Sequence, residues 1–189
     1  MKYSSLLPWT IGSYALCLAY VVSLPTLERN LFLREDDEVS TGSISRYIES
    51  PGASGAFAAC MVPLLTTQWV GMALHSGTTI ANVMLLFISQ TCFSLMIAFD
   101  VQRRYYIHDL LANGFILITT LYLISTFTWV RPSKRRSLYI ALAGVFTICA
   151  AVFLVGLYTG AEDTLYYTEI AIIALLPLQF PLRDYLMTS

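Results

Sequence analysis

The chain has 189 residues and a formal net charge of −1 at pH 7, and 57% of its residues are hydrophobic while 12% are charged. That charged share is about half of the share in an average soluble domain, so the composition argues against a soluble globular protein. A near-zero charge without a basic stripe excludes a nucleic-acid partner, because nothing would neutralise the phosphates.

Six apolar stretches separated by polar breaks follow one another along the chain. Most are close to the length that crosses a bilayer core, roughly 20 residues at 1.5 Å each. In hydrocarbon the backbone must satisfy its own hydrogen bonds, which favours helices. We therefore predict an all-α polytopic membrane protein, with six transmembrane helices in one bundle and a single domain. The predicted spans are 6–24, 56–74, 78–99, 110–130, 138–158 and 168–186.

The first break is the only long one, an acidic loop over 26–55 that Pro25 introduces by ending the first helix. The charged run 34–38 within it is most simply a solvated turn, and a cation or partner site is the alternative. Small residues then open the second span. Gly55 and Ala59 lie four positions apart there, which predicts close contact with another helix, or else the approach of a ligand.

Polar and special residues inside the later spans predict how the helices meet. Gly77 suits a helix terminus, so the second and third spans should form an antiparallel hairpin. Asn82 and Ser89 share one face of the third span and should hydrogen-bond across helices. Pro177 and Pro181 should kink or end the sixth span.

Cysteines and aromatic residues indicate packing and anchoring more than chemistry. All four cysteines fall inside predicted spans, where buried thiols are usually inert, and their spacing fits neither a disulfide framework nor a metal site. Aromatic residues near the span ends predict an interfacial belt. These residues are Trp9, Trp129, Tyr139, Tyr158, Tyr166, Tyr167 and Tyr185. We predict no cofactor, no bound metal and no catalytic residue.

Basic residues predict the orientation of the spans. The fourth break, 131–137, concentrates Arg131, Lys134, Arg135 and Arg136 beside two membrane ends. Dense positive charge next to a span favours the cytosolic side. We therefore predict that both termini are cytosolic and that the long loop faces the lumen or the exterior.

A group of polar residues gathers at the opposite, non-cytosolic interface. Ionisable groups in a membrane are costly, so each of them prompts a functional hypothesis. In one interpretation they are interfacial anchors that pair with each other and use the helix macrodipoles. In the other they line a polar vestibule for a lipid headgroup, an ion or a proton; a zinc site is a third, weaker alternative. The candidate residues are Asp100, Arg103, Arg104, His108, Asp109, Asn113 and Glu169. On the fourth span, Asp109, Asn113 and Thr120 fall on one face and form a polar stripe that should point inward.

Three features resemble the DRAM-like family of six-span membrane proteins, which includes the Sfk- and Frag-type proteins. They are the long first loop ending in the sequence of residues 44–51, His108 followed by Ala112 at the start of the fourth span, and Glu169 near the start of the sixth. Arg46 stands where the family often has Asp, and the family's Pro-Glu pair is absent. The resemblance implies a protein that organises membrane lipids or membrane proteins.

We therefore expect a non-enzymatic integral membrane protein that organises lipid or protein partners, with membrane lipids as its surroundings. A second hypothesis is an accessory subunit of a large membrane complex, which would add other membrane subunits as partners. A third is a lipid-modifying enzyme or a small transporter that uses the interfacial polar cluster.

Overall fold

A computed structural model describes residues 7–31, 44, 51–74, 79–98, 101–127 and 134–176. Within these ranges the structure is helical and contains no strand, so the prediction of an all-α chain is confirmed. The helices are α1 (Leu7–Leu31), α2 (Pro51–Leu74), α3 (Ile80–Ala98), α4 (Val101–Phe127), α5 (Lys134–Thr159) and α6 (Glu162–Leu175).

Three of these helices are long and apolar enough to cross a membrane. They contain the stretches Ile80–Ile97, Tyr106–Thr126 and Arg136–Thr159. The other helices contribute the shorter apolar stretches Pro8–Leu24, Gly55–Thr66 and Thr164–Leu175. The described helices are thus compatible with an integral membrane protein and support three of the six predicted spans. Predictions at Gly77, Trp129, Pro177, Pro181 and Tyr185 fall outside the described residues.

The predicted end of the first helix at Pro25 is wrong, because α1 continues to Leu31. An interior proline lacks the N–H that would bond to the carbonyl four residues earlier, which here belongs to Val21. That carbonyl accepts a hydrogen bond from the Tyr166 hydroxyl of α6 at 2.8 Å. A donor from another helix therefore replaces the bond that Pro25 cannot make.

Other helices begin earlier than predicted, which shortens the breaks between them. α2 begins at Pro51, where a proline is favourable because the first helical N–H needs no partner within the helix. α4 begins at Val101 and α6 at Glu162. Gly160, with φ 71°, ends α5 in the left-handed conformation that glycine adopts without a Cβ clash.

Successive helices pack against each other along the chain, and α1 also packs against α6. On the first and second helices, Cys17 Sγ lies 3.2 Å from Met61 Sδ, and Tyr20 packs against Phe57. The higher-numbered residue of α1 thus meets the lower-numbered residue of α2, so this pair is antiparallel.

Tyrosine hydroxyls join α1 and α6 in both directions. Tyr14 of α1 donates to the carbonyls of Ile173, at 3.2 Å, and Ala174. Tyr166 of α6 donates to the Val21 carbonyl at 2.8 Å. The order of these contacts makes α1 and α6 antiparallel. Two tyrosine hydroxyls that donate to backbone carbonyls thus hold these two helices together.

No described helix makes the close contact predicted at Gly55 and Ala59. Both residues are exposed on α2, and a Cβ added at Gly55 would meet nothing within 4 Å. The close approach occurs at Gly156 of α5, where a Cβ would lie 3.0 Å from Thr164 Oγ1 and 3.1 Å from Leu165 Cδ2. The absence of a side chain at Gly156 therefore lets α6 fold back tightly on α5.

The aromatic belt is only partly as predicted. Trp9, Tyr158 and Tyr167 are largely exposed, as anchors at an interface would be. Tyr139 and Tyr166 are instead buried in the core, so their assignment as anchors is wrong. A buried tyrosine requires a partner for its hydroxyl, and both residues have one: Tyr166 donates to Val21, and Tyr139 lies 2.9 Å from Thr126 Oγ1.

Candidate functional site

The described candidate residues lie on α4 and α6, toward the end of the bundle where α1, α3 and α5 finish. Asp100 is outside the described residues. Arg103 and Arg104 lie in the first turns of α4, and their side chains are also outside the described part of the chain. The arrangement at this end is therefore built from His108, Asp109, Asn113, Glu169 and the buried residue Ile44.

His108 bonds to the C-terminal end of α3. Its side chain is only 5% exposed, and its Nδ1 lies 3.2 Å from the carbonyl oxygen of Met96. A carbonyl can only accept, so Nδ1 carries the hydrogen in this pair. Met96 is in the last turn of α3, where carbonyls lack partners within the helix. His108 thus caps the preceding helix and joins α4 to α3.

Glu169 lies in the interior of α6 and bonds to a distant part of the sequence. A carboxylate oxygen of Glu169 accepts a hydrogen bond from the backbone N–H of Ile44, 125 residues away. The Ile44 side chain is 4% exposed and belongs to the hydrophobic core. The first break between helices is therefore fixed to α6 at this point.

The macrodipole interpretation of the two acidic residues is wrong. Favourable interaction with a helix N-terminus is confined to about the first turn. α4 begins at Val101 and α6 at Glu162, so Asp109 and Glu169 each lie about two turns inside their helices. Neither carboxylate is placed to gain from its own helix terminus.

Asp109 of α4 and Glu169 of α6 are both only partly exposed. The contact that the structure shows for Glu169 is the backbone N–H of Ile44. The sequence predicted the two acidic residues as members of one cluster, and the structure adds Ile44 as a partner of Glu169.

Asn113 lies one helical turn deeper on the same face of α4. Its Oδ1 is buried and accepts no hydrogen bond from the described residues. Thr120, further along the predicted polar stripe, bonds to the Ile116 carbonyl of its own helix at 2.9 Å. The stripe predicted on α4 therefore divides: Asp109 and Asn113 present buried or partly buried polar atoms, while Thr120 is satisfied locally.

Hydrogen bonds between α3 and α4 confirm the predicted role of Asn82 and Ser89. Ser125 donates to Asn82 Oδ1 at 2.7 Å, and Ser89 Oγ lies 2.7 Å from Thr119 Oγ1. Along with Phe93 stacked on Phe115, these contacts make the two helices antiparallel. The partners Thr119 and Ser125 were not foreseen, although each falls on the face of α4 that turns toward α3.

Metal binding is not supported by the described side chains. Cys17, Cys60, Cys92 and Cys149 are free thiols on four different helices. Within the described ranges, no group of three or more His, Cys, Asp and Glu residues could hold a metal ion. What Asp109 and Glu169 can do chemically is bind and release a proton, or accept hydrogen bonds from a polar group.

No sequence pattern identified the residues that join α1 to α6. Tyr166 was predicted to be an interfacial anchor, Tyr14 lies among apolar residues in the middle of the first predicted span, and Ile44 is one apolar residue in a polar loop. Pro25 offered the only hint of such a contact, because a proline inside a helix leaves one carbonyl that needs a donor from elsewhere.

Comparison with known proteins finds no match: no protein family, curated protein or solved structure is similar to this chain.

Proposed function

We propose that the chain is a non-enzymatic integral membrane protein with six spans, which organises lipid or protein partners in its bilayer. One observation carries the proposal: the outer surface of the described helices is strongly apolar. Large exposed apolar patches are rare on soluble proteins. The exposed residues on α3, α4 and α5 include Val83, Met84, Phe87, Ile88, Leu117, Leu121, Ile148, Val152 and Val155.

The interior of the same helices also supports the membrane assignment. Ser89 and Thr119 are fully buried and bond to each other, while Asn82 bonds to Ser125. In hydrocarbon, polar side chains gain by facing inward and joining helices, since no water can satisfy them outside. A polar seam within an apolar surface is the pattern expected of helices that associate in lipid.

Six spans are favoured over three by the geometry of α1. Its apolar stretch, Pro8–Leu24, is about 26 Å long, which is at the lower end of the length that crosses a hydrocarbon core. Trp9, Ile11, Leu16 and Val22 are exposed on its outer face. An antiparallel first and last helix is also what an even number of spans requires. The predicted sixth span, 168–186, extends past the described residues.

An organising role is favoured over catalysis because the described polar groups are used mostly in helix association. His108 bonds to the Met96 carbonyl, Glu169 accepts from Ile44, and the α3–α4 seam satisfies itself. Membership of the DRAM-like family is a proposal that rests on the sequence of residues 44–51, His108 and Glu169, and the family's membrane-organising roles agree with this function.

Purification in a gentle detergent tests the proposal. We expect the protein to be extracted only with detergent, to migrate on a native gel as a monomer or small oligomer, and to carry phospholipid detectable by mass spectrometry. Recovery of folded, detergent-free protein in aqueous buffer would overturn the membrane assignment. Turnover of the co-purified lipid by the purified protein would overturn the non-enzymatic assignment and favour a lipid-modifying enzyme.

A second candidate, an accessory subunit of a larger membrane complex, is favoured by the outer face of α2. Gly55 and Ala59 are exposed there, and nothing in the described bundle occupies the space beside Gly55. Small residues four apart let helices approach closely in lipid. Co-migration with a large complex on the native gel, lost on Gly55→Leu but retained on Gly12→Leu, would support this candidate. Gly12 is a matched control because it is an exposed helical glycine with equally open surroundings.

A further inference from the structure

Positive charge is concentrated at the end of the bundle where α4 finishes and α5 begins. Four basic residues occur within six positions there: Arg131, Lys134, Arg135 and Arg136. Three of them belong to the first turn of α5, which begins at Lys134. The helical backbone therefore holds three cationic residues close together at one point of the bundle.

The basic residues are unfavourable for the helix that they begin. A helix N-terminus carries a partial positive charge, so acidic residues stabilise it and basic residues do not. The first turn of α5 contains no acidic residue. Orientation in the membrane requires basic residues in this break, but it does not require them inside the helix. A sequence that breaks a local rule in this way indicates a functional role for the residues concerned.

No acidic residue of the described helices lies at this end. Thr126 Oγ1 in the last turn of α4 lies 2.9 Å from the Tyr139 hydroxyl near the start of α5, so these two helices are antiparallel. The chain has no aspartate or glutamate between positions 110 and 161, which include the whole of α5. Within the described helices, the acidic residues lie toward the opposite end, where α1, α3 and α5 finish. They are Glu28, Asp109, Glu162, Asp163 and Glu169.

The outer face of α5 continues from the basic residues as an apolar surface. Ser137 and Leu138 follow them directly and are both exposed. Exposed apolar residues then recur at intervals of three and four positions, which places them in one stripe along the helix. The stripe is about 25 Å long at 1.5 Å per residue. Its members are Leu138, Ala141, Val145, Ile148, Val152 and Val155.

We propose that the basic residues at the start of α5 and the apolar stripe that follows them bind an anionic phospholipid. The charged headgroup lies at the basic residues, and an acyl chain lies along the stripe. Clustered lysine and arginine residues beside a span attract anionic lipids, because the membrane surface that contains such lipids has a negative potential. The inference rests on the proposed function and deepens it by naming the class of lipid that the protein recruits.

Lipid retention measures this preference. The full chain is reconstituted in vesicles that contain equal amounts of phosphatidylserine and phosphatidylcholine with identical acyl chains. After gentle extraction, native mass spectrometry counts the lipids that stay bound. We expect phosphatidylserine to exceed phosphatidylcholine at least about fivefold, the factor that one basic residue near an anionic surface supplies. Raising the salt concentration should reduce this excess, because exposed charges are screened.

Two variants and a control locate the binding surface. Lys134→Gln combined with Arg135→Gln should remove most of the excess. Arg103→Gln combined with Arg104→Gln is the matched control, because it removes two basic residues from the first turn of α4 at the opposite end, and it should retain the excess. Ser137→Asp separates binding from folding. A negative charge near this helix N-terminus favours the helix but repels an anionic headgroup, so the excess should fall while thermal stability in detergent does not.

The outcomes distinguish this inference from the proposed function. Equal retention of the two lipids by the folded parent would overturn the inference and leave the membrane assignment intact. Folded protein recovered in aqueous buffer without either lipid would overturn both. An excess that persists unchanged in the Lys134/Arg135 variant and in Ser137→Asp would contradict the role of α5. Complete displacement of bound phosphatidylserine by water-soluble glycerophosphoserine would contradict the acyl-chain contact and indicate a site for a free phosphate anion.

Discussion

The hydroxyl of Tyr166 on α6 donates to the carbonyl of Val21 on α1 at 2.8 Å. Val21 lies four residues before Pro25, so this carbonyl is the one that the proline leaves without its helical partner. The contact therefore does two things. It lets α1 continue through Pro25 to Leu31, and it fastens the first helix to the last one.

Loss of this hydroxyl should destabilise the bundle. Tyr166→Phe leaves a buried carbonyl without its donor, and we expect it to lower the free energy of unfolding by about 1–3 kcal/mol. Thermal unfolding in detergent measures the effect. Tyr167→Phe is the control, because Tyr167 is its neighbour on α6 and is largely exposed. Equal effects of the two substitutions would contradict the role of the Tyr166 hydroxyl.

The link to Pro25 has its own test. Pro25→Ala restores an N–H that can bond to the Val21 carbonyl, so the penalty of Tyr166→Phe should shrink in that background. The double-mutant cycle should show a coupling of about 1 kcal/mol or more. Additive effects would mean that Tyr166 and Pro25 act independently on the stability of α1.

The hydrogen bonds between α3 and α4 should make a small contribution to the free energy of unfolding, and that contribution should depend on the buried hydroxyl groups. Thr119→Val removes the hydroxyl that lies 2.7 Å from Ser89 Oγ while nearly keeping the shape of the side chain. Hydrogen bonds between helices in a membrane contribute about 0.6 kcal/mol on average, so we expect a loss of that order. Thr66→Val is the control, since Thr66 is exposed and bonds only to its own helix at Val62. A smaller loss from Thr119→Val than from the control would contradict a stabilising role for the Ser89–Thr119 hydrogen bond.

Two glycines should respond differently to the same substitution. At Gly156 a Cβ meets Thr164 and Leu165 at 3.0–3.1 Å, so Gly156→Ala should destabilise the bundle by about 1–3 kcal/mol. At Gly55 the space is open, and Gly55→Ala should be neutral or stabilise the helix by about 0.5–1 kcal/mol. Unfolding in detergent distinguishes them. Destabilisation by Gly55→Ala and not by Gly156→Ala would contradict the packing of both helices.

His108 should stabilise the bundle by capping the last turn of α3. His108→Phe keeps a ring in the buried site but removes the donor to the Met96 carbonyl, and we expect a loss of about 1–3 kcal/mol. Tyr106→Phe, at an exposed position on the same helix, should have little effect. Hydrogen exchange in the last turn of α3 should also become faster in the His108 variant. Unchanged exchange there would show that His108 does not cap this helix.

Periodicity was enough to predict the helices and the seam at Asn82 and Ser89. Apolar residues around each polar position indicated a helix, and polar residues seven apart share one face. The same reasoning brought Asp109 and Asn113 onto one side of α4. These features depend on residues close in sequence, which is why composition and spacing suffice.

Contacts between distant residues explain what the sequence did not reveal. Pro25 ends an isolated helix, but here Tyr166 supplies the missing donor from 145 positions away. The burial of Tyr139 and Tyr166 depends on which helices become neighbours, and spacing near a span end does not determine that. Ile44 became part of the site only because Glu169 is folded against it. Likewise, Gly156 and not Gly55 allows close packing because of the tight turn that follows α5.

We propose a bundle of six membrane spans with both termini in the cytosol, and single-cysteine labelling distinguishes this topology from the alternatives. In a cysteine-free chain expressed in cells, Ser133→Cys should react with an impermeant maleimide only from the cytosolic side, and Ser43→Cys only from the opposite side. Positive charge concentrated in residues 131–136 sets this expectation. Exclusive labelling from opposite sides is the predicted result. Labelling of both positions from the same side would contradict the six-span bundle, and a clean reversal would contradict the orientation.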